Sequence, residues 1–428
     1  MLKRVLGILL VGFMLCAFAA CGDSSETPLD SLVNGDSVSE EAEGVEDSNL
    51  PKEESIVIRD HNKTMAAANE ALYYVKADGT LWGMGRVVDF YTETNPRPQQ
   101  EKGNQSLATY IMGGVKAIDA NSSLLYILKE DDSLWCLGWQ TQYEHLESSA
   151  EYNDFVKLAE DVASFSVDDD KYLIVKNDGS VWGAGKNYYG IICWDDKETD
   201  SFGELQLIFE EGAAAVSVGN NAGYVLKQDG TVWGWGTNFN HSIKEGWDPY
   251  RYIREQPTKI MDDVVFIEAT ERGGCFAIQK DETLWVWGDQ WGEIYEPTQI
   301  MENVAHIASD YWWDFAVKTD GSVYGWGSKL GGGMFEENPY GVLSEAELNP
   351  YYNGDRIHES TPVPLAINEV VEMTVSGNNA FFLRSDGTLY GSGDRFVFGS
   401  LRDDEDAVGV FAENTLFYGP LTTDMKVE

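Results

Sequence analysis

One phrase of eleven residues recurs seven times after residue 60, and it constrains the fold more than any other feature of this chain. Its first copy reads Val75-Lys-Ala-Asp-Gly-Thr-Leu-Trp-Gly-Met-Gly85, and the other copies begin at Leu128, Val175, Leu226, Ile278, Val317 and Leu383. Each copy carries one aromatic anchor; the anchors are Trp82, Trp135, Trp182, Trp233, Trp285, Tyr324 and Tyr390. They lie about 51 residues apart, a period typical of repeat architectures in which each unit packs on the next.

Each phrase predicts a β-hairpin. Asp-Gly between two β-branched or aromatic runs is a strong hairpin signal, and a two-residue turn of this kind needs positive φ at both residues. Repeats two and five carry Asp132 and Glu282 in place of the turn glycine, so we expect longer or looser hairpins there. A Lys or Arg precedes nearly every turn, and we expect it to serve the blade by binding local carbonyls or the turn Asp.

Two further strands are indicated in each repeat. A Val opens an alternating strand about 20 residues before most anchors, at Val115, Val162, Val265, Val304 and Val370. Another strand is indicated where Pro precedes an apolar pair, as at Pro257 and Pro297. Four short antiparallel strands repeated seven times predict an all-β fold, a seven-bladed β-propeller over residues 56–428. An open arc would expose sheet edges, so we expect a closed ring.

The two chain ends are expected to close that ring. The tail from Phe417 to Glu428 resembles the start of another repeat, and the first repeat has Asn62 where the others have Val. We therefore expect the tail to supply a strand to the N-terminal blade, so that both ends share one sheet.

These seven phrases resemble the repeat of the regulator of chromosome condensation family, over about residues 56–428. The resemblance implies the same propeller fold. In that family the nuclear member is a nucleotide-exchange factor bound to chromatin, and secreted bacterial relatives include an inhibitor that binds β-lactamases through an aromatic-rich face. The resemblance therefore implies a binding surface, and it assigns no functional residue here.

The N-terminus has the pattern of a bacterial lipoprotein signal. Lys3 and Arg4 precede an apolar stretch that ends near Phe18 and is short for spanning a bilayer. Small residues then precede Cys21, so we predict a signal peptide over residues 1–20, lipidation of Cys21, and anchoring at the outer face of the cell membrane. An uncleaved N-terminal anchor helix is the alternative.

Composition separates the tether from the propeller and excludes several partners. Residues 21–55 contain no aromatic residue and many acids, so we expect a disordered acidic linker. The whole chain has 72 acidic and 30 basic residues, a net charge of −42. Nucleic-acid binding needs clustered cations and is excluded, and the membrane is reached only through the lipid. Cys136 and Cys275 are expected to be small buried side chains rather than part of a disulfide framework.

No catalytic, cofactor or metal motif stands out. The chain lacks a zinc-protease helix, a phosphate loop and a nucleophile elbow. Its five histidines have no metal-ligand spacing, and its carboxylate runs lack the spacing of a calcium loop. We expect no cofactor and no metal, and we look for function where the repeats differ.

Strand parity locates the variable loops. Loops joining strands one to two and three to four lie on the face opposite the Asp-Gly turns, and many carry aromatic residues. We expect partner binding there by Trp247, Trp291, Trp312 and Trp313, with packing beneath their own loops as the alternative. The chain is predicted to be a monomeric, lipid-anchored binding module for a protein or glycan. The alternative is an extracellular polysaccharide-active enzyme, with acidic residues from several blades converging at the channel mouth.

Overall fold

The computed structural model describes most of the repeat region. The described residues are 56–68, 71–85, 108–121, 124–138, 155–196, 198–238, 243, 254–290, 293–311, 313–328, 358–365, 367–376, 379–392, 410–412, 415–416 and 418–422. All of them belong to the unit Glu54–Glu428. The predicted signal peptide, Cys21 and the predicted linker lie outside the described residues. Within the described part of the chain, no helix is long and apolar enough to cross a membrane.

Seven four-stranded antiparallel sheets form the blades, and in each the strands follow one another in chain order. Blade I contains β1 (Met65–Ala68), β2 (Ala71–Val75), β3 (Leu81–Gly85) and β4 (Thr109–Met112), and blade II contains β5 (Val115–Ala120), β6 (Leu124–Lys129), β7 (Leu134–Gly138) and β8 (Val156–Ala159). Blade III contains β9 (Val162–Asp168), β10 (Lys171–Lys176), β11 (Val181–Lys186) and β12 (Ser201–Phe209), and blade IV contains β13 (Ala213–Val218), β14 (Ala222–Lys227), β15 (Val232–Thr237) and β16 (Arg254–Met261).

Blades V to VII complete the set, and a small hairpin interrupts the last one. Blade V contains β17 (Val264–Ala269), β18 (Cys275–Gln279), β19 (Leu284–Gln290) and β20 (Glu293–Met301), and blade VI contains β21 (Val304–Ser309), β22 (Trp313–Lys318), β23 (Val323–Ser328) and β24 (His358–Pro364). Blade VII contains β25 (Val370–Ser376), β26 (Asn379–Arg384), β27 (Leu389–Ser392) and β30 (Tyr418–Thr422). The hairpin pairs β28 (Val410–Ala412) with β29 (Thr415–Leu416).

The blades form a closed ring around a central channel. The first strands adjoin in the order β1, β5, β9, β13, β17, β21, β25 and β1 again. Seven hydrophobic clusters fill the interfaces between neighbouring blades. The cluster that joins blade VII to blade I includes Met65, Tyr74, Phe381 and Leu383. Because every cluster draws on two blades, each blade depends on its neighbours to bury its apolar faces.

The predicted role of the tail is wrong. Strand β30 pairs with β27 in blade VII, and blade I takes all four of its strands from the N-terminal part of the chain. Blade I needs no donor because β1 already holds its innermost position. The tail instead covers the outer edge of β27, which would otherwise be an open sheet edge.

The repeated turn is a three-residue loop rather than the predicted two-residue loop. In blade I the Gly79 amide donates to Lys76 O at 2.9 Å, and the Lys76 amide donates to Thr80 O at 2.8 Å. Gly79 has a φ of 75°, and it is the single loop residue with positive φ. A type I turn followed by one left-handed residue therefore closes each hairpin.

Repeats two and five form the same turn without glycine. Asp132 and Glu282 adopt φ angles of 58° and 67°. Their amides donate to Lys129 O at 3.0 Å and to Gln279 O at 2.9 Å, as the glycine amide does elsewhere. The expectation of looser hairpins is therefore wrong. The hydrogen bonds of the turn offset the cost of about 1 kcal/mol that a non-glycine residue incurs in the left-handed backbone conformation.

The repeated polar residues form one relay around each turn. Thr80 Oγ1 donates to Asp78 Oδ1 at 2.5 Å and accepts from Trp82 Nε1 at 2.9 Å. Lys76 Nζ lies 4.5 Å from the Trp82 ring centroid. The same relay and the same cation recur in other blades. The repeated cation therefore serves the blade, as expected, but by covering the anchor ring.

Candidate functional site

The chain threads the central channel before it enters blade I. Residues Ile56–Thr64, here called the channel segment, precede β1 and form no strand. Ile56 packs on the cluster between blades V and VI, beside the blade IV turn at Gly230. The Arg59 amide donates to Val265 O at 3.0 Å, further along the channel. The segment thus enters from the face that carries the Asp-Gly turns, here called the turn face.

Near the end of the segment, Lys63 lies among carboxylates from opposite sides of the ring. Its ammonium lies 3.0 Å from Glu268 Oε1 of β17 and 4.0 Å from Asp119 Oδ2 of β5. Burial raises the pKa of both Asp119 and Glu268, against the attraction of the ammonium. The Lys63 pKa is raised in turn, because its carboxylate neighbours outweigh its own burial. One cation is thus shared between two partly buried anions.

Beyond Lys63 the channel widens into an acidic cavity, here called the funnel. Its volume is about 270 Å³, and all seven blades line it at the ends of their first strands and in the loops that follow. The funnel therefore opens on the face opposite the turns. Six acidic residues line it: Asp119, Asp168, Asp169, Glu268, Glu271 and Asp310. Such a cavity attracts cations.

Glu271 shows the combined effect of burial and of repulsion among the acids of the funnel. Loss of hydration is the largest cause of its shift, followed by repulsion from Asp310, Asp168 and Asp169, and together they raise its pKa to about 7. The Arg272 guanidinium acts in the opposite direction but does not compensate. A cation placed in the funnel would relieve this repulsion.

Two buried ion pairs fix the rim of the funnel. Arg272 donates to both carboxylate oxygens of Asp314 at 2.6 Å, and the Asp314 side chain is fully buried. The same guanidinium donates to the backbone carbonyls of Asp310 and Tyr311, at 2.6 and 3.0 Å. On the opposite side, Lys171 binds Asp168 and Asp170. Tyr311 stands at the rim with 45% of its surface exposed.

Two neutral histidines line the channel, and one of them, His306, also lines the funnel. His61 stacks on Phe266 with centroids 4.4 Å apart, and Phe266 also contacts His306 at 5.5 Å. The Ile267 amide donates to His61 Nε2 at 3.1 Å, so Nδ1 carries the proton and donates to Arg59 O at 2.9 Å. Burial lowers the pKa of His61 to about 4 and that of His306 to about 3.

Of the four predicted tryptophans, the described residues include Trp313. It begins β22, is half-buried and packs against the cluster between blades VI and VII. Its amide donates to Asp310 Oδ1 at 2.9 Å, so it positions one acid of the funnel. Trp247, Trp291 and Trp312 lie outside the described residues. The prediction that these four rings bind a partner stays a prediction.

One aromatic loop is described in full except for Lys197, and it divides between the two expected roles. In the loop between β11 and β12, Tyr189 and Trp194 pack on the core between blades III and IV. The Asn187 side chain holds this loop, because its Nδ2 donates to Cys193 O at 3.0 Å and its Oδ1 accepts from the Ile192 backbone amide at 3.1 Å. Tyr188 remains 52% exposed. Packing under the loop thus accounts for part of the aromatic content.

The funnel matches in outline the converging acids of the enzyme alternative, but the sequence pattern named none of its residues, and it gave no sign of the channel segment. Two of the six funnel acids do recur at equivalent places: Asp119 and Glu268 stand four residues after the Val that opens β5 and β17, where Ser166 and Ser217 stand in β9 and β13. Aligning the seven first strands would have revealed this polar layer. The channel segment belongs to no repeat, so no internal comparison could have placed it.

Within the described residues, no group of His, Cys, Asp or Glu has the arrangement of a metal site. Cys136 and Cys275 are buried free thiols, as predicted, and Cys193 is half-buried. Burial raises the pKa of the Cys136 thiol to about 12, so this side chain behaves as an apolar residue.

Comparison with known proteins identifies the fold. No protein-family model matches the sequence, and no curated protein matches it. The structure of Prp20p from Saccharomyces cerevisiae matches with a TM-score of 0.57 and 13% identity, over 84% of this chain and 86% of that chain. The structure of yeast RCC1 (Prp20) bound to Kap60 matches with a TM-score of 0.54 and 15% identity, over 71% of this chain and 74% of that chain. The structure of human WBSCR16 matches with a TM-score of 0.56 and 13% identity, over 74% of this chain and 86% of that chain. This chain has the fold of the RCC1-like seven-bladed propellers.

Proposed function

We propose that this protein is a cell-surface binding module that recognises a basic protein partner through the face on which the funnel opens. The observation that carries the proposal is the funnel itself, a cavity of about 270 Å³ lined by six acidic residues. An arginine or lysine side chain entering it would meet six acidic residues, three of which already contact an ammonium: Asp119 and Glu268 contact Lys63, and Asp168 contacts Lys171. Charge of this kind favours fast association and selects partners of opposite sign.

The fold supports a binding role without naming the partner. Yeast RCC1 (Prp20) has been solved bound to Kap60, and Prp20p has been studied for its binding to Gsp1p and histones. Those statements concern the yeast protein. They support the proposal because a propeller of this shape serves there as a platform for other proteins.

Export and anchoring through Cys21 remain part of the proposal. The predicted linker joins the propeller at Ile56, which lies at the turn face beside Gly230. The funnel opens on the other face. A lipid-anchored chain would therefore be attached on one side of the ring and would receive its partner on the other.

A polysaccharide-active enzyme is the second candidate, because carboxylates from several blades converge at the channel mouth, and Glu271 has a pKa near 7. A proton donor of that pKa suits general acid catalysis. Binding is favoured because the two innermost acids, Asp119 and Glu268, are both engaged by Lys63. Release of reducing sugar from cell-wall or dietary polysaccharide by the purified chain, lost in Glu271→Gln, would favour the enzyme.

The test compares capture of proteins from cell-surface extracts by three forms of the full chain. Asp169→Asn/Glu271→Gln removes two funnel charges, and Glu211→Gln/Glu302→Gln removes two exposed charges from the turn face. We expect basic proteins that the wild type and the turn-face variant retain and the funnel variant loses. Equal retention by all three forms would contradict the proposal.

A further inference from the structure

The channel segment is held by specific side-chain contacts in addition to backbone hydrogen bonds, which run from the Arg59 amide to Val265 O, from the Ile118 amide to Lys63 O and from the Val75 amide to Thr64 O. Arg59 donates from its guanidinium to Val304 O at 3.1 Å and Ala305 O at 2.6 Å in blade VI. Asn62 donates to Ala163 O of blade III at 3.1 Å. Thr64 donates to Glu372 of blade VII from both its amide and its hydroxyl, at 2.9 and 2.5 Å. Together with Lys63 and His61, these contacts reach five blades beyond blade I.

The chemistry of the segment matches the channel wall at three depths. Ile56 lies at the apolar entrance, where a side chain on Gly230 would collide with it. Arg59 meets backbone carbonyls, which accept its hydrogen bonds without carrying a charge. Lys63 meets the carboxylates of Glu268 and Asp119. The wall therefore has an apolar site for one residue, backbone carbonyls for an arginine three positions later, and carboxylates for a lysine seven positions later.

The segment also differs from the core of the blades. Val57 is 77% exposed, and the Lys63 side chain is 30% exposed. A second cavity of about 250 Å³ lies beside the segment, lined by Arg59, His61, Phe266 and Glu372 among others. This cavity and the funnel share Lys63 and His306 as their common wall. The space around the segment is thus larger than a packed interior leaves.

We infer that the central channel is a binding site for an extended basic peptide, and that residues Ile56–Thr64 are its occupant in cis. The ligand class is a peptide with an apolar residue, an arginine at the third position after it and a lysine at the seventh. This inference is independent of the partner proposed for the funnel face. Attachment to the ring gives the segment an effective concentration of about a millimolar, so a free peptide is excluded from the wild-type channel.

The test weakens the occupant and leaves the wall intact. The full chain carrying Lys63→Met is compared with the wild type and with Lys318→Met, a matched variant at a blade VI turn outside the channel. Hydrogen exchange reports release of the segment through the Arg59 amide, which is bonded to Val265 O. The probe is the labelled peptide Ile-Val-Ile-Arg-Asp-His-Asn-Lys-Thr, and its control replaces the lysine with glutamate.

In the Lys63→Met chain we expect the Arg59 amide to exchange about tenfold faster, as loss of one charged hydrogen bond implies. The labelled peptide should bind this chain one-to-one with half-saturation near about 0.1 mM, tenfold below the effective concentration of the attached segment, and the glutamate peptide should bind at least about tenfold more weakly. Neither the wild type nor Lys318→Met should bind the peptide at micromolar concentration.

Three results would overturn the inference. The first is exchange at Arg59 that rises without any binding of the peptide. The second is exchange at Arg59 that does not change, because Lys63 would then not hold the segment. The third is loss of the β-sheet circular dichroism in Lys63→Met, since the segment would then be part of the folded core and not an occupant.

Discussion

Lys63 Nζ lies 3.0 Å from Glu268 Oε1, although the two residues are 205 positions apart in the chain. Lys63 belongs to the segment ahead of blade I, and Glu268 belongs to the first strand of blade V. Their contact ties the N-terminal entry of the chain to the far side of the ring. Blades I and VII share no sheet, so the channel segment adds a link across the ring beyond the hydrophobic contact between those two blades.

Replacing Lys63 by Met should therefore lower the free energy of unfolding. We expect a loss of about 2 kcal/mol, because Glu268 and Asp119 stay half-buried without their cation. Lys318→Met, which removes a cation from the Tyr324 ring at 5.0 Å, should cost about 0.5 kcal/mol. Chemical denaturation of the full chain measures both. Equal midpoints for the two variants would show that the Lys63 contact does not stabilise the ring.

The histidines of the channel predict a loss of stability in acid. Burial lowers the pKa of His306 to about 3, so below its unfolded pKa of 6.5 the unfolded state takes up the proton first. The contribution of neutral His306 is therefore present above pH 6.5 and falls as the pH is lowered towards 3. The raised pKa values of Glu271, Asp119 and Glu268 act in the opposite direction.

His306→Phe isolates the histidine term, because those acids are common to both chains. His306 Nδ1 is buried without a hydrogen-bond partner, so an apolar ring loses no bond at that atom. Between pH 7 and pH 5 the wild type should lose at most about 2 kcal/mol relative to the variant. Thermal melts at several pH values give this difference. A constant gap between the two chains would contradict it.

The glycine-free turns predict opposite effects of two matched substitutions. Glu282 has a φ of 67°, and Gly79 has a φ of 75° at the equivalent place in blade I. Glu282→Gly should raise the free energy of unfolding by about 1 kcal/mol, and Gly79→Ala should lower it by about the same amount. Chemical denaturation measures both variants. Two changes of the same sign would mean that backbone strain does not govern these turns.

The rim of the funnel should depend on the pair Arg272–Asp314. Arg272→Met leaves the fully buried Asp314 carboxylate without its cation and should cost about 3 kcal/mol or more. Adding Asp314→Leu should restore a large part of that loss, because no buried charge then remains. A double variant less stable than Arg272→Met would show that the carboxylate is satisfied by Ser309 and other neighbours.

Local sequence patterns predicted the blades. The features that these patterns did not predict depend on contacts between residues far apart in the chain. The seven phrases located the hairpins because turn, strand and anchor lie within eleven residues of one another. The turn class was wrong because Asp-Gly occurs in two-residue and three-residue loops alike. The channel segment, Ile-Val-Ile-Arg-Asp-His-Asn-Lys-Thr, has neither a repeat partner nor a turn signal. Its place is set by Glu268, Ile267 and Ala305, which come more than 200 residues later.

Titration of the full chain with a tetralysine peptide tests the role of the funnel most directly. Calorimetry at pH 8 and low salt is run on the wild type, on Asp169→Asn/Glu271→Gln and on Glu211→Gln/Glu302→Gln. Both variants lose two acidic charges, so attraction to the net charge of −42 falls equally in each. We predict that the funnel variant binds about tenfold more weakly than the turn-face variant, because charges in the funnel are less screened. Equal affinities of the two variants would contradict the account.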